Sequence, residues 1–164
     1  MIVFSLIALD FTRKQLVRLF LSYYMSVTKL SLSQLEQYLS KAAWILKGPV
    51  GASDFKAYIF PMLFFKRMSD VYDEEYAQAL EESGGDEEYA ALPEFHRFDI
   101  PDGCHWRDVR ETTVNVGLAI EKALRGIEQA NERYLHGIFG DAQWSNKNSL
   151  PDSLLVNLVE HFSQ

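Results

Sequence analysis

The run from Ala57 to Phe65, AYIFPMLFF, holds nine consecutive uncharged residues. It lies inside a longer stretch of helical pattern. A helix that is apolar all round has no face to give to water, so the run predicts a central helix buried on every side. Ser53 or Asp54 can cap this helix. It should run from about Phe55 into the low eighties and end at Gly84-Gly85. Pro61 falls within it, and a proline there removes a backbone hydrogen bond and predicts a kink, or a helix that starts afresh near Pro61. Past Phe65 the segment becomes amphipathic, with Met68, Val71, Tyr72 and Tyr76 between charged residues.

The flanking segments read as the shell of that helix. Ser31 or Ser33 can open a preceding helix, and Glu36 three residues after Ser33 completes a capping box. Leu35, Leu39, Ala42, Ala43 and Leu46 follow at helical spacing, Trp44 and Ile45 widen the apolar face, and Gly48-Pro49 stops it. Beyond Pro93 the chain is irregular. Phe95, Phe98 and Ile100 alternate with polar residues, which allows a short strand near 95–100. Trp106 to Glu111 reads as a short helix. Val114 to about Tyr134 reads as another, with Val116, Ala119, Ile120, Ala123, Ile127 and Ala130 on one side. Gly137 and Gly140 mark a loop, and Pro151-Asp152 opens a last helix, Leu154 to Phe162. The expected fold is mainly α, with five to six helices in a compact bundle-like domain.

A chain of 164 residues, 48% hydrophobic, can bury one real core. The first 28 residues fit it least well. Ile2 to Leu9 is apolar but spans only 8 residues, where a membrane-crossing helix needs about 20. No positive charge precedes the run, as a secretory signal would require. The expectation is a cytoplasmic protein without a membrane partner. Residues 1–28 read as an N-terminal extension in which Phe11 to Tyr24 can form a helix. Met25, followed by SVTKLSLSQLEQ, reads as an alternative start.

Charge is divided along the chain. Residues 1–69 hold 9 Lys/Arg and 3 Asp/Glu, residues 70–94 hold 10 acidic residues and no basic one, and residues 95–164 hold 7 basic and 10 acidic residues, for a net charge of −7. Such a chain is not built to grip DNA with its whole surface, although a cluster of lysines can still meet phosphates. Lys66-Arg67, at the end of the apolar run, must reach the surface on this reading. The pair is the first candidate for a binding contact at the surface, with Lys41, Lys47 and Lys56 after it. The plainer alternative is ordinary helix-surface charge, with Arg67 paired to Asp70 at i+3.

No catalytic constellation is legible. There is no GxGxxG after a strand, no GxxxxGK[ST] and no GxSxG. Cys104 is the only cysteine, and His96, His105, His136 and His161 are scattered, so no metal site is expected.

One segment is more specific than all of this. SDFKAYIFPMLFFKRMSDVYDEEY, Ser53 to Tyr76, resembles the signature of the helical N-terminal domain of type I restriction-modification methylase subunits, the HsdM kind. LSQLEQYLSKAAWILKG (Leu32 to Gly48) is similar to that family's opening helix. IPDGCHWRDVR (Ile100 to Arg110) is similar to its Pro-x-x-x-x-Trp segment. Gly117 through Asn131 to Gly137, and LPDSLLVNLVEHF (Leu150 to Phe162), resemble its later helices in the right order. The resemblance covers about residues 30–164, and residues 29–164 are read as that domain.

The resemblance implies a parent enzyme that transfers a methyl group from S-adenosylmethionine to adenine N6 in DNA. Its partners would be a specificity subunit, a second methylase subunit, a restriction subunit and double-stranded DNA. It also implies that the helical domain helps to enclose DNA and to contact subunits. The catalytic Rossmann-like domain, with its Gly-rich loop and Asn-Pro-Pro-aromatic motif, is absent from these residues. No catalytic or cofactor residue is therefore assigned, and this segment alone is expected to be inactive and to bind no cofactor. Two other readings are a stand-alone helical interaction or regulatory module and a small nucleic-acid binder using the basic first part. The latter lacks a helix-turn-helix, zinc or RNA-binding signature.

Overall fold

The structure, a computed structural model, describes residues 31–164. The expectations for residues 1–28, including a helix over Phe11 to Tyr24, lie outside the described residues. Residues 42–164 form one compact unit, and residues 31–41 belong to another. Seven α-helices follow one another among the described residues: α1 Leu32–Leu46, α2 Phe55–Glu82, α3 Glu87–Ala90, α4 Trp106–Glu111, α5 Val116–Ala130, α6 Glu132–Leu135 and α7 Asp152–Phe162. A 3-10 turn, Pro93–Phe95, lies between α3 and α4. The mainly helical expectation holds, with slightly more helices than the pattern suggested.

Of the two caps the sequence offers, α1 uses Ser31, two residues before Ser33. The Gln34 backbone N–H donates to Ser31 Oγ at 3.2 Å and the Ser31 N–H donates to Gln34 Oε1 at 2.8 Å. The capping box is thus Ser31 with Gln34, and Ser33 with Glu36 lies inside the helix. Both pairs satisfy the spacing rule, and the earlier one starts the helix.

α2 is the central element. It ends where expected because Gly84 and Gly85 take positive φ (71° and 100°) that a side chain would resist. The Gly85 N–H then reaches back to the Leu80 carbonyl at 2.8 Å and closes the last turn. Pro61 is buried and the helix runs through it. The carbonyl that loses its partner to Pro61 belongs to Ala57, an exposed residue whose carbonyl solvent can serve.

The expected all-round burial of Ala57 to Phe65 is only partly met. Ile59, Met62, Leu63 and Phe65 are buried, whereas Ala57 and Phe60 are exposed and Phe64 is half-buried. These last three share one helical face at i, i+3 and i+7. The elements that pack on α2 are α3, the 3-10 turn, α4 and α7. The lane is not bare, since the Phe64 ring meets the Phe139 ring edge-on at 5.9 Å.

The core joins Met62, Leu63, Phe65 and Met68 of α2 to Ile120, Leu124 and Ile127 of α5 and to Leu155, Leu158 and Phe162 of α7. Trp106, the aromatic residue of the Pro-x-x-x-x-Trp segment, holds three elements together at the start of α4. Its backbone N–H donates to Ser69 Oγ of α2 at 3.1 Å, and its indole Nε1–H donates to Ser163 Oγ just past α7 at 2.9 Å. Its ring lies 5.1 Å from that of Phe65. Arg110 of α4 then grips Glu160 of α7 with Nε at 2.8 Å and Nη2 at 3.0 Å.

No strand forms at 95–100. The backbone groups that a strand would offer to a neighbour are held by side chains instead. The Arg97 N–H donates to Glu75 Oε2 at 2.9 Å. The Asp99 N–H donates to Asn131 Oδ1 at 3.0 Å, and Asn131 Nδ2 returns a bond to the Asp99 carbonyl at 2.7 Å. A clasped irregular segment and an edge strand leave the same alternating pattern in the sequence.

α5 begins with help from the far end of the chain. Asp152, the first residue of α7, accepts from the Val116 N–H with Oδ1 at 2.9 Å and from the Asn115 N–H with Oδ2 at 3.0 Å. The Asn115 backbone bond is the main cause that holds this carboxyl below its ordinary range, with Val116 and nearby Lys147 adding to it. A group whose folded value is depressed contributes stability above its unfolded value, near 4, and loses it as the pH falls through the folded value. Asp152→Asn should therefore lower the thermal midpoint at pH 7. It should also flatten the acid limb of a stability–pH curve below about pH 4. Parallel acid limbs for the two proteins would show that the cap carries no such linkage.

Candidate nucleic-acid and subunit interface

The five candidate cations do not behave alike. Lys66 is half-buried and forms an ion pair with Asp70 one turn on. Arg67 does not reach the surface: it is 4% exposed, and its Nη1 donates to Glu74 Oε1 at 3.0 Å. The expected i+3 partner, Asp70, goes to Lys66, and Arg67 takes the carboxylate seven residues on. Seven residues are close to two full turns, so Glu74 lies almost directly above Arg67 on the same face. The charged end of the apolar run is thus used inside the domain.

Lys41, Lys47 and Lys56 are exposed, and none of them has an ion-pair partner among the described residues. Lys47 follows α1 directly, and its Nζ sits 4.6 Å from the centroid of the Trp44 ring. Lys56 lies on the first turn of α2. Asp54 is the one carboxylate in the segment 47–56. A helix of 28 residues is about 42 Å long. Lys56 therefore stands at one end of α2, while Glu81 and Glu82 stand at the other, followed by Asp86, Glu87 and Glu88. The charge division read along the sequence becomes a division in space along one helix.

Other exposed cations escaped the sequence reading. Arg107 on α4, Lys122 on α5 and Arg133 on α6 are exposed and have no ion-pair partner among the described residues. They sit in a third of the chain with a net negative charge, which hid them. The helical spacing of Lys122 from exposed Leu118 could have revealed that residue.

Titratable rings gather where α2 meets the segment after α3. The Tyr72 ring stacks on His96 at 3.9 Å, and the His105 ring meets it edge-on at 4.9 Å. His96 Nε2 lies 2.9 Å from the Ala90 carbonyl, and Glu75 Oε1 accepts from Arg97 Nε at 2.8 Å. Burial, reinforced by Arg107, lowers the His105 pKa, and burial raises those of Asp73 and Tyr72. These groups lean toward neutrality because the rings that pack the irregular segment onto α2 exclude water from them. Among the described residues no group of three metal-ligating side chains forms. Among them, too, no helix is long and apolar enough to cross a membrane.

Together these features define a helical domain built on one long central helix, clasped by polar side chains from distant parts of the chain and with its charge separated along that helix. The family model of the HsdM N-terminal domain matches residues 35–162. The chain belongs to this family, the N-terminal domain of the methyltransferase (M) subunit of type I restriction-modification systems. Comparison with curated proteins finds no match.

Proposed function

We propose that this domain serves a DNA methyltransferase that modifies adenine N6 with S-adenosylmethionine, and that the domain encloses DNA and holds subunits without taking part in the chemistry. The methyl donor and its catalytic residues belong to another part of the parent enzyme. The protein partners are a specificity subunit, a second methylase subunit and a restriction subunit, assembled on double-stranded DNA in the cytoplasm. Family membership supports the setting. The observation that carries the role of this surface is the corner between α1 and α2, where Lys47 and Lys56 are exposed and have no ion-pair partner among the described residues. The acidic end of α2 would be repelled by phosphates, so the division along the helix favours one orientation toward DNA. Lys41 adds an exposed cation on α1. Lys66 and Arg67 make weaker contacts because Asp70 and Glu74 already engage them.

Counterion release supplies the test. Each phosphate contact contributes about 0.9 to the slope of log affinity against log salt. Lys47→Ala with Lys56→Ala, in the assembled methyltransferase, should weaken DNA binding and reduce that slope by about 2, with an unchanged thermal midpoint. A mutant complex with wild-type affinity and slope would remove this corner from the DNA path.

A further inference from the structure

The chain has three tryptophans, and the structure treats one of them differently. Trp106 and Trp144 are 6% and 3% exposed, whereas Trp44 is 71% exposed. Trp44 lies in the last turn of α1, which ends at Leu46. Among the described residues no other ring pairs with it, and the Lys47 ammonium lies 4.6 Å from its ring centroid. A large rigid indole held by a helix and left in water is a costly surface feature in a lone domain. The same indole is a common binding anchor when a partner supplies a pocket.

We infer that Trp44 is the anchor of a protein–protein contact, and that its partner surface is an apolar pocket rimmed by carboxylates. This rests on the reading of the domain as part of a larger assembly and names the partner chemistry of the α1–α2 corner. The indole fixes the apolar pocket. Lys47, whose ammonium lies over the ring, fixes the sign of the rim, since it would be drawn close to whatever buries Trp44. Phosphates account for the lysines of this corner but not for its exposed indole. Single-strand sites set several aromatic rings along a cationic track so that successive bases can stack, and Trp44 stands alone. Lys47 already occupies ring surface that a base would need. Duplex phosphates can use the lysines, but they offer no pocket for the indole.

The difference in acrylamide quenching between the wild-type protein and Trp44→Phe isolates the emission of Trp44. It should be measured in three states: the methylase subunit alone, the complete protein assembly without DNA, and the methylase subunit with duplex DNA only. Strong quenching of Trp44 in the free subunit and protection in the DNA-free assembly are expected, together with at least a tenfold loss of assembly affinity for Trp44→Ala in sedimentation. Protection by duplex DNA alone would overturn the inference in favour of a nucleic-acid contact. So would a Trp44 that stays quenchable in the assembly, or a Trp44→Ala subunit that assembles with wild-type affinity. The salt slope of the Lys47/Lys56 variant is read separately, so loss of the DNA role and loss of the protein contact give different results.

Discussion

Gly117→Ala should destabilise the domain by about 3 kcal/mol or more, at or beyond the upper end of ordinary overpacking. Alanine is normally the better helix residue, and at an exposed site on α5 the same change would gain about 0.5–1 kcal/mol. Here a Cβ would run into the Trp144 carbonyl oxygen and would lie 2.8 Å from its carbonyl carbon and 3.2 Å from Leu155 Cδ1. The nearest obstacle is backbone, so no rotamer change can relieve it. The loop that carries Trp144 would have to retreat from α5. That loop is fixed in turn, because the buried Trp144 ring meets Tyr58 of α2 edge-on at 5.1 Å. For a domain of this size such a loss corresponds to a fall in thermal midpoint of about 6–12 °C. Gly126→Ala is the control. Its Cβ would meet Cys104 Sγ at 2.6 Å, a side-chain atom, so adding Cys104→Ala should recover most of the loss. A Gly117→Ala protein as stable as wild type in urea would mean that α5 and the 141–150 loop are not in close contact in solution.

Gly117 also shows what a sequence reveals and what it hides. The helix that contains it was legible, as was α4 at Trp106–Glu111, because helical spacing and stop signals are local. The close approach at Gly117 was not, because the partner backbone is 27 residues away in the chain. The clasps fail for the same reason. Glu75 and Asn131 hold residues 97–99 from 22 and 32 positions away, and alternating Phe95, Phe98 and Ile100 imitate a strand. The candidate cations differ in ways that spacing alone does not show. Lys66-Arg67 drew attention by following an apolar run, yet that position is what draws Arg67 inside. The i+7 spacing to Glu74 was the available clue. Trp44 was counted as a widening of an apolar face, since periodicity cannot tell a covered flank from an open one.

Arg67→Glu should cost about 3–5 kcal/mol, the range seen when one member of a buried charge pair is removed and the other is left facing an uncompensated charge. The new carboxylate would replace a side chain that is 5% exposed and face Glu74, whose side chain is 60% exposed. Glu74 can turn to water, but the group introduced at 67 cannot. Arg67→Met keeps most of the apolar stem that Arg67 packs along α2 and introduces no buried charge, while Glu74 can turn to water, so it should be far milder. The two substitutions separate a folding role from a binding role. If Arg67 serves the fold, Arg67→Glu loses methylation in step with its lower urea midpoint. Arg67→Met then keeps the fold, the affinity of the complex for DNA and its dependence on salt. If instead Arg67→Glu keeps the wild-type midpoint, the side chain must leave its buried position and work at the surface. An Arg67→Met subunit that folds normally but binds DNA with a reduced salt slope would place the guanidinium against a phosphate. Arg67→Glu alone cannot decide this from activity, because an unfolded domain and a lost DNA contact abolish methylation equally.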